Sequence, residues 1–397
     1  MNTVKKVKIT PADKVLNLEK YIFVELDELK AQARKRGIDL IDLGIGNPDR
    51  PTADYIVKET IKSIKNPKNH GYPNFRGKDE FQVAIKEWMA KRYDVKLDDD
   101  FIAQAVNGGK EGIAHATLAF TNPGDINIIP DPYYPVFSRA TKVACGEVYY
   151  VPLSEENDFL PDLNSIPQEI AQKAKIFIIN YPNNPTGAVV TKEFLEDLVK
   201  FCRENEILII SDLAYGEICY DGYRALSIFS IEGAKDVALE IHTCSKTFNM
   251  AGWRVGFVLG KKEFIDTVFA MKINFDYGTS TIMQDAAIAA MRMPYKYVEA
   301  TMKKYQQRRD YLVKELRELG WHVRMPKATM YLWIKVPEGM SSREFCTMVM
   351  DKTGVVFTPG IAFGAGSEGY VRVSLVQDEK KLREAVKRLK EAGIRYK

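Results

Sequence analysis

Residues 174–187 read A-K-I-F-I-I-N-Y-P-N-N-P-T-G, residues 206–215 read E-I-L-I-I-S-D-L-A-Y, and residues 237–246 read V-A-L-E-I-H-T-C-S-K. Each is a short apolar run without polar alternation, closed by polar residues. Runs of this kind suit strands buried on both faces of a largely parallel sheet. In open α/β sheets ligands bind outside the carboxyl ends of the strands, which is where the polar residues fall. Asn184, Asp212, Tyr215, Ser245 and Lys246 are therefore expected to converge on one crevice.

Outward from these runs the chain alternates. An amphipathic helix is expected over 16–37. An apolar run ending in the glycine-rich turn G-I-G-N-P-D follows at 44–49, then helices near 53–65 and 77–93. A glycine turn at 107–109 opens another helix, followed by the apolar D-I-N-I-I-P. Alternation of this kind means an α/β fold. Downstream, a long helix is expected near 282–319, with its basic K-K-Y-Q-Q-R-R on a solvated face. The remainder, including K-A-T-M-Y-L-W, V-V-F-T-P-G and Y-V-R-V-S-L, reads as a smaller α+β domain. At 397 residues the chain is long enough for about two or three domains. The expected division is 1–50 as an N-terminal arm and part of the small domain, 51–290 as the large domain, and 291–397 as the small domain.

Net charge is +4, with both signs interspersed, so the basic stripe of a nucleic-acid footprint is absent. No run approaches the roughly 20 apolar residues of a membrane span, and the opening M-N-T-V-K-K-V-K has no apolar signal stretch. A cytoplasmic protein is expected. The five cysteines form no C-x-x-C pair and read as reduced, small buried hydrophobes. The four histidines are too dispersed to suggest a metal site.

The most specific stretch is S-K-T-F-N-M-A-G-W-R-V-G-F at 245–257. A lysine at the end of an apolar strand, flanked by hydroxyls, suits an amine whose pKa is lowered by burial so that it can react with a carbonyl. Thr243, Ser245 and Arg254 suit a phosphate, hydroxyls as donors and Arg254 as a bidentate partner. Asp212 fits the carboxylate that keeps a pyridine nitrogen protonated, and Tyr215 and Asn184 fit donors to a phenolic oxygen. Taken singly, Lys246 also reads as a surface lysine, Asp212 as a helix cap and N-P-T-G as a turn; their joint occurrence favours a site. N-G-G-K-E-G-I at 107–113 sets glycines before a helix, where free N–H groups favour phosphate, with Gly109 and Lys110 as donors. Tyr134 in D-P-Y-Y-P suits a plate stacked on an aromatic ring. Arg372, within an apolar strand, is expected to have an anionic partner, either an α-carboxylate or a structural carboxylate.

These residues resemble a known family, the class I/II aminotransferases of fold type I, which use pyridoxal phosphate. The motifs G-Y-P-N-F-R-G, D-P-Y-Y-P, N-P-T-G, S-D-L-A-Y and the lysine stretch occur in the family's order, and the match runs end to end. The resemblance implies a large domain with a mostly parallel central sheet flanked by helices, plus a smaller α+β domain. It implies Lys246 as Schiff-base lysine and proton carrier, Asp212 at the pyridinium, Asn184 and Tyr215 at the phenolic oxygen, and Tyr134 on the ring. Gly109, Lys110, Thr243, Ser245 and Arg254 are implied at the phosphate, Arg372 at the substrate carboxylate, and Gly46 and Tyr21 on the substrate side with Asn184. Tyr72 is implied to reach the phosphate of a neighbouring subunit, which makes a homodimer with shared sites the expectation. One departure is Gly109, where relatives often carry a hydroxyl; one phosphate hydrogen bond is thereby missing.

The expected reaction is ping-pong transamination between a small L-amino acid and a 2-oxo acid, 2-oxoglutarate or pyruvate. Within the family, Y-D-G-Y, K-I-N-F-D-Y-G-T and T-P-G-I-A-F-G are most similar to the branch of alanine and LL-diaminopimelate aminotransferases. Alanine is the expected donor, with LL-diaminopimelate or a broader neutral amino acid preference as the alternative. The same residues serve β-lyases of this fold, and a cofactor-binding regulator is a remoter rival.

Overall fold

The computed structural model describes residues 9–396. The first eight residues of the expected N-terminal arm, and Lys397 at the end of the expected small domain, lie outside the described residues.

A seven-stranded sheet forms the centre. In chain order its strands are preceded by a short β1 (Ile41–Asp42) and run β2 (Phe101–Val106), β3 (Ile126–Asp131), β4 (Glu147–Pro152), β5 (Ala174–Asn180), β6 (Leu208–Asp212), β7 (Ala238–Thr243) and β8 (Gly256–Lys261). Their spatial order is β2-β8-β7-β6-β5-β3-β4, with only β8 antiparallel to its neighbours. The apolar runs are continuous because each strand feeds two cores. Ile176, Ile178, Ile210, Leu239 and Ile241 pack in one apolar layer, while Phe177, Ile179 and Ile209 pack in the other. Sheet order reverses between β3 and β5, so their carboxyl ends diverge and leave the crevice expected at such a switch.

After the central sheet come β9 (Tyr331–Lys335), β10 (Val355–Val356), β11 (Thr358–Pro359) and β12 (Tyr370–Ser374). β11, β12 and β9 form an antiparallel sheet, and β10 pairs in parallel with β1. That pairing holds the glycine turn after β1 against the C-terminal strands. Thr358 Oγ1 donates to Gly44 O at 2.7 Å, and Ser374 N donates to Leu43 O.

Three sequence expectations need correction. The long helix is two helices, Thr281–Arg292 and Lys296–Glu318. Pro294 lies between them, and Met293 before it is extended (φ −66°, ψ 156°), as a residue preceding proline must be. The basic cluster is not all solvated, since Arg308 and Arg309 are buried. Arg308 donates both terminal nitrogens to Asp49 at 2.9 Å, and Arg309 pairs with Asp221 and Asp310. Planar guanidinium groups tolerate burial when a carboxylate meets them in this way. The helix expected over 16–37 spans Ile22–Lys35. Residues 19–20 instead offer their carbonyls to Arg139, which delivers Tyr21 to the central crevice. Of the cysteines, Cys202, Cys244 and Cys346 are buried, Cys219 is half-buried and Cys145 is exposed.

Candidate active site

A cavity of about 350 Å³ opens at the carboxyl ends of β5, β6 and β7. Asn180, the last residue of β5, organises its floor. Its side-chain amide donates to Asp212 O at 2.9 Å, and its Oδ1 accepts from Asn184 N at 2.9 Å. Asn183 Oδ1 accepts from both the N–H and the hydroxyl of Thr186, folding N-N-P-T back on itself. Asn184 is thereby brought over the sheet end, where its Oδ1 accepts from Arg372 Nη1 at 2.8 Å. Its Nδ2 keeps donors to spare.

Lys246 sits one turn beyond β7, in the short helix Cys244–Thr247 capped by the Thr243 hydroxyl. Its Nζ donates to Gly46 O at 2.6 Å. Burial, with Arg372 and Arg254 nearby, holds its pKa below the usual lysine value. Asp212, 5 % exposed, ends β6 and accepts from Ala214 N at 3.1 Å. Burial pushes its carboxyl up to about 7. Two titrating groups thus face one cavity with each charged form disfavoured, a combination typical of functional sites.

Arg372 on β12 is 3 % exposed and has no carboxylate partner among the described residues. Its Nη2 donates to Gly44 O at 2.8 Å, its Nε is buried without an acceptor, and its guanidinium lies 4.2 Å from the centre of the Tyr331 ring. The structural-carboxylate alternative is thus not met among the described residues, and the unpaired Nε leaves the guanidinium a donor open to an anion.

At the other end of the cavity, Gly108 has φ +94°, and a Cβ there would lie 2.6 Å from Arg254 Nη2. Only glycine lets the turn approach that arginine. Gly109 opens the helix Gly109–Phe120, in whose first turn Glu111 and Gly112 donate to Gly108 O while the amides of Gly109 and Lys110 have no acceptor among the described residues. Thr243, Ser245 and Arg254 line the same end. Lys110, expected as a backbone donor, lines the same cavity, and its Nζ lies over the Tyr21 ring, 5.1 Å from the centre. Burial, with Arg139 and Arg254 close by, lowers its pKa.

Every predicted site residue except Tyr72 therefore lines one cavity, with Tyr21, Gly46 and Tyr134 on its walls. Tyr72 is 85 % exposed, its ring 4.6 Å from that of Tyr277 on the outer surface. Sequence reasoning missed Tyr331 as a site residue. Its hydroxyl lies 2.9 Å from that of Tyr215, and its ring carries Arg372. Burial pushes Tyr215 well above the ordinary tyrosine value, whereas burial of Tyr331 is outweighed by Arg372 and Lys246, which hold it lower. The signal for Tyr331 in the sequence is K-A-T-M-Y-L-W, a stretch of the small domain that is also similar to the alanine and LL-diaminopimelate branch, but nothing in it assigns the tyrosine a role.

The chemistry of this lining fits pyridoxal phosphate. Lys110, Lys246, Arg254 and Arg372 face the cavity, none with a carboxylate partner among the described residues, and Asp212 is the one acidic residue of the lining. No helix among the described residues is long and apolar enough to cross a membrane.

Comparison with known proteins bears on what such a cavity serves. The profile of the family "Aminotransferase class I and II" matches residues 38–389. The LL-diaminopimelate aminotransferase of Halothermothrix orenii is 46% identical, covering 97% of this chain and 99% of the relative. That of Aquifex aeolicus is 46% identical over 96% of this chain and 98% of its own length. Among solved structures, substrate-bound BacF from Bacillus subtilis superposes with a TM-score of 0.93 at 35% identity, covering 98% of each chain. These findings overturn alanine as the expected donor, because the relatives matched end to end at 46% identity are named for LL-diaminopimelate. They leave the reaction class and the cofactor in place: the chain belongs to the class I and II aminotransferases, pyridoxal-phosphate enzymes of fold type I that move an amino group between an amino acid and a 2-oxo acid.

Proposed function

We propose that this chain is an LL-diaminopimelate aminotransferase, transferring one amino group of that diamino diacid to a 2-oxo acid. The observation that carries the proposal, beside the names of the relatives, is the excess of unpaired cations in the cavity. Phosphate and one carboxylate account for Arg254 and Arg372. Lys110, turned to the mouth, with Arg139 4.7 Å from the centre of the same Tyr21 ring, supplies positive potential for the second carboxylate that alanine lacks.

Pyridoxal phosphate, bound at Lys246, supplies an electron sink for the electrons released at Cα. The residues of the chain position and gate that chemistry. Thr243, Ser245 and Arg254 hold the phosphate, with the backbone N–H groups of Gly109 and Lys110. Asp212, ionised against a ring N–H, keeps that nitrogen protonated; the pairing offsets the burial that raises its pKa. Tyr215 and the free Nδ2 of Asn184 donate to the phenolic oxygen, and Tyr134 stacks on the ring. Arg372 takes the substrate α-carboxylate through its unpaired Nε–H and the remaining terminal hydrogens, while Asn184 and Gly44 fix the guanidinium plane. With pyridoxal phosphate bound, free Lys246 Nζ would be the group that takes the proton from the substrate Cα and gives it to the cofactor carbon that receives the amino group. Burial, with Arg372 and Arg254 nearby, favours the neutral amine that this role needs.

Exposed Tyr72, beside Tyr277 and Phe75, supports a homodimer in which it reaches the phosphate of the second subunit. The five free cysteines support a reducing, cytoplasmic setting.

The test is the visible absorption of the purified enzyme as amino acids are added without an acceptor. LL-diaminopimelate should bleach the band at once and L-alanine should not, and Lys246→Ala should abolish turnover. A band that neutral amino acids bleach while LL-diaminopimelate leaves it unchanged would sink the substrate assignment.

A further inference from the structure

Behind the phosphate end of the cavity lies a partly buried cluster that the mechanism leaves unused. Glu111 Oε2 accepts from Asn107 N at 2.6 Å, and its Oε1 accepts from Lys272 Nζ at 2.6 Å. Lys272, wholly buried, also donates to Asp276 Oδ1 at 2.5 Å. His115 Nε2 lies 2.8 Å from the other oxygen of Asp276 and 3.4 Å from Glu111. Glu111, His115 and Asp276 are close enough to one another to hold a metal ion. The Lys272 ammonium, however, already lies within hydrogen-bond range of both carboxylates, so the cation of this cluster is a side chain. The pairing keeps Glu111 ionised, since despite burial His115 and Lys272 hold it down at about 2.

The position of Glu111 in its helix shows what the cluster does. It is the third residue of the helix that Gly109 opens, with Gly108 as N-cap. In a capping box the glutamate at this position reaches back to the N–H of the N-cap itself. Here it reaches one residue further, to Asn107, and the N–H of Gly108 has no acceptor among the described residues.

We propose that Glu111 is a positioning residue of the phosphate turn: anchored by buried Lys272, it clamps Asn107 so that the N–H groups of Gly108, Gly109 and Lys110 are all presented to the phosphate. The proposal rests on the cofactor site described above. Glycine at position 109 makes the clamp matter more, because backbone donors stand where relatives often add a hydroxyl.

The experiment compares cofactor release from the holoenzyme, followed at its visible band, with reconstitution by pyridoxal, which lacks the phosphate. Glu111→Ala should weaken pyridoxal phosphate roughly tenfold or more, the effect of one charge-assisted hydrogen bond. Pyridoxal binding should be unchanged, and the ³¹P resonance of the bound phosphate should move. Glu111→Gln, nearly isosteric and able to serve Asn107 or Lys272 but not both, should fall between. Equal weakening of both ligands, or no weakening of either in both variants, would overturn the positioning role. A wild-type protein that shows no visible band with pyridoxal phosphate would instead overturn the site on which the role depends.

Discussion

Two adjacent glycines should respond to substitution in opposite ways. At Gly109 an added Cβ would meet Thr243 Cβ at 3.5 Å and Ile241 Cγ2 at 3.6 Å, which is ordinary van der Waals contact. Gly109→Ser therefore fits without rearrangement and sets a hydroxyl at the phosphate end. A hydrogen bond to a charged group contributes about 1.5–3 kcal/mol, so affinity for pyridoxal phosphate should rise roughly 10- to 150-fold. Removing a glycine from the first helical turn also stabilises the fold by about 0.4–1 kcal/mol through the unfolded chain. Gly109→Ala isolates that second effect, since it changes the backbone and adds no donor. At Gly108 the Cβ would lie 2.6 Å from Arg254 Nη2 at φ +94°, so Gly108→Ala should displace the arginine and weaken the cofactor. The assay is titration of cofactor-free protein with pyridoxal phosphate and with pyridoxal. The reasoning is refuted if Gly109→Ser binds the phosphate form no more tightly than Gly109→Ala, or if pyridoxal gains equally.

Asp212 predicts how the cofactor-free protein responds to pH. Burial raises its carboxyl from 3.8 to about 7, so the native state keeps a proton that the unfolded chain has lost. Stability should fall as pH rises from about 4 to about 7, by up to roughly 4 kcal/mol, and Asp212→Asn should remove that component. Urea unfolding of both proteins across that range measures it, and parallel slopes would count against the assignment. Tyr331→Phe keeps the ring under Arg372 but deletes the hydroxyl beside Tyr215. It should lower kcat/KM about two- to tenfold in steady-state assays, and an unchanged value would mean that Tyr215 needs no partner. Arg372→Lys loses the planar fork while keeping the charge. KM for the amino donor should rise roughly 10- to 100-fold, and a wild-type KM would remove Arg372 from carboxylate binding.

The central strands were legible because a sheet covered on both faces writes itself as uninterrupted apolar runs, and Asn184, Asp212 and Lys246 mark where those runs stop. Arg308 and Arg309 read as solvated because Asp49 and Asp221, which meet them in the fold, are remote in sequence and carry no local signal; only Asp310, beside Arg309, is local. Pro294 was a legible break, but the amphipathic pattern on both sides suggested one helix. Substrate choice was the least legible feature. The strand-end motifs define the cofactor end, whereas the mouth depends on Lys110, Arg139 and Tyr21 meeting from three separate parts of the chain.

The N-terminal glycine turn joins the two ends of the site. Gly44 O accepts from Arg372 and Gly46 O accepts from Lys246, so one tripeptide backbone holds both side chains. A Cβ on Gly46 would lie 2.2 Å from the Tyr331 hydroxyl, and one on Gly44 would lie 3.1 Å from Thr358 Oγ1. A side chain at 46 would therefore displace the Tyr331 hydroxyl and one at 44 would press on Thr358, and the pairing of β1 with β10 holds the turn there. On the proposed mechanism, Gly46 O would hold Lys246 Nζ inside the cavity while Gly44 O would hold the Arg372 guanidinium in its plane, so a shift of this one turn would disturb both groups together.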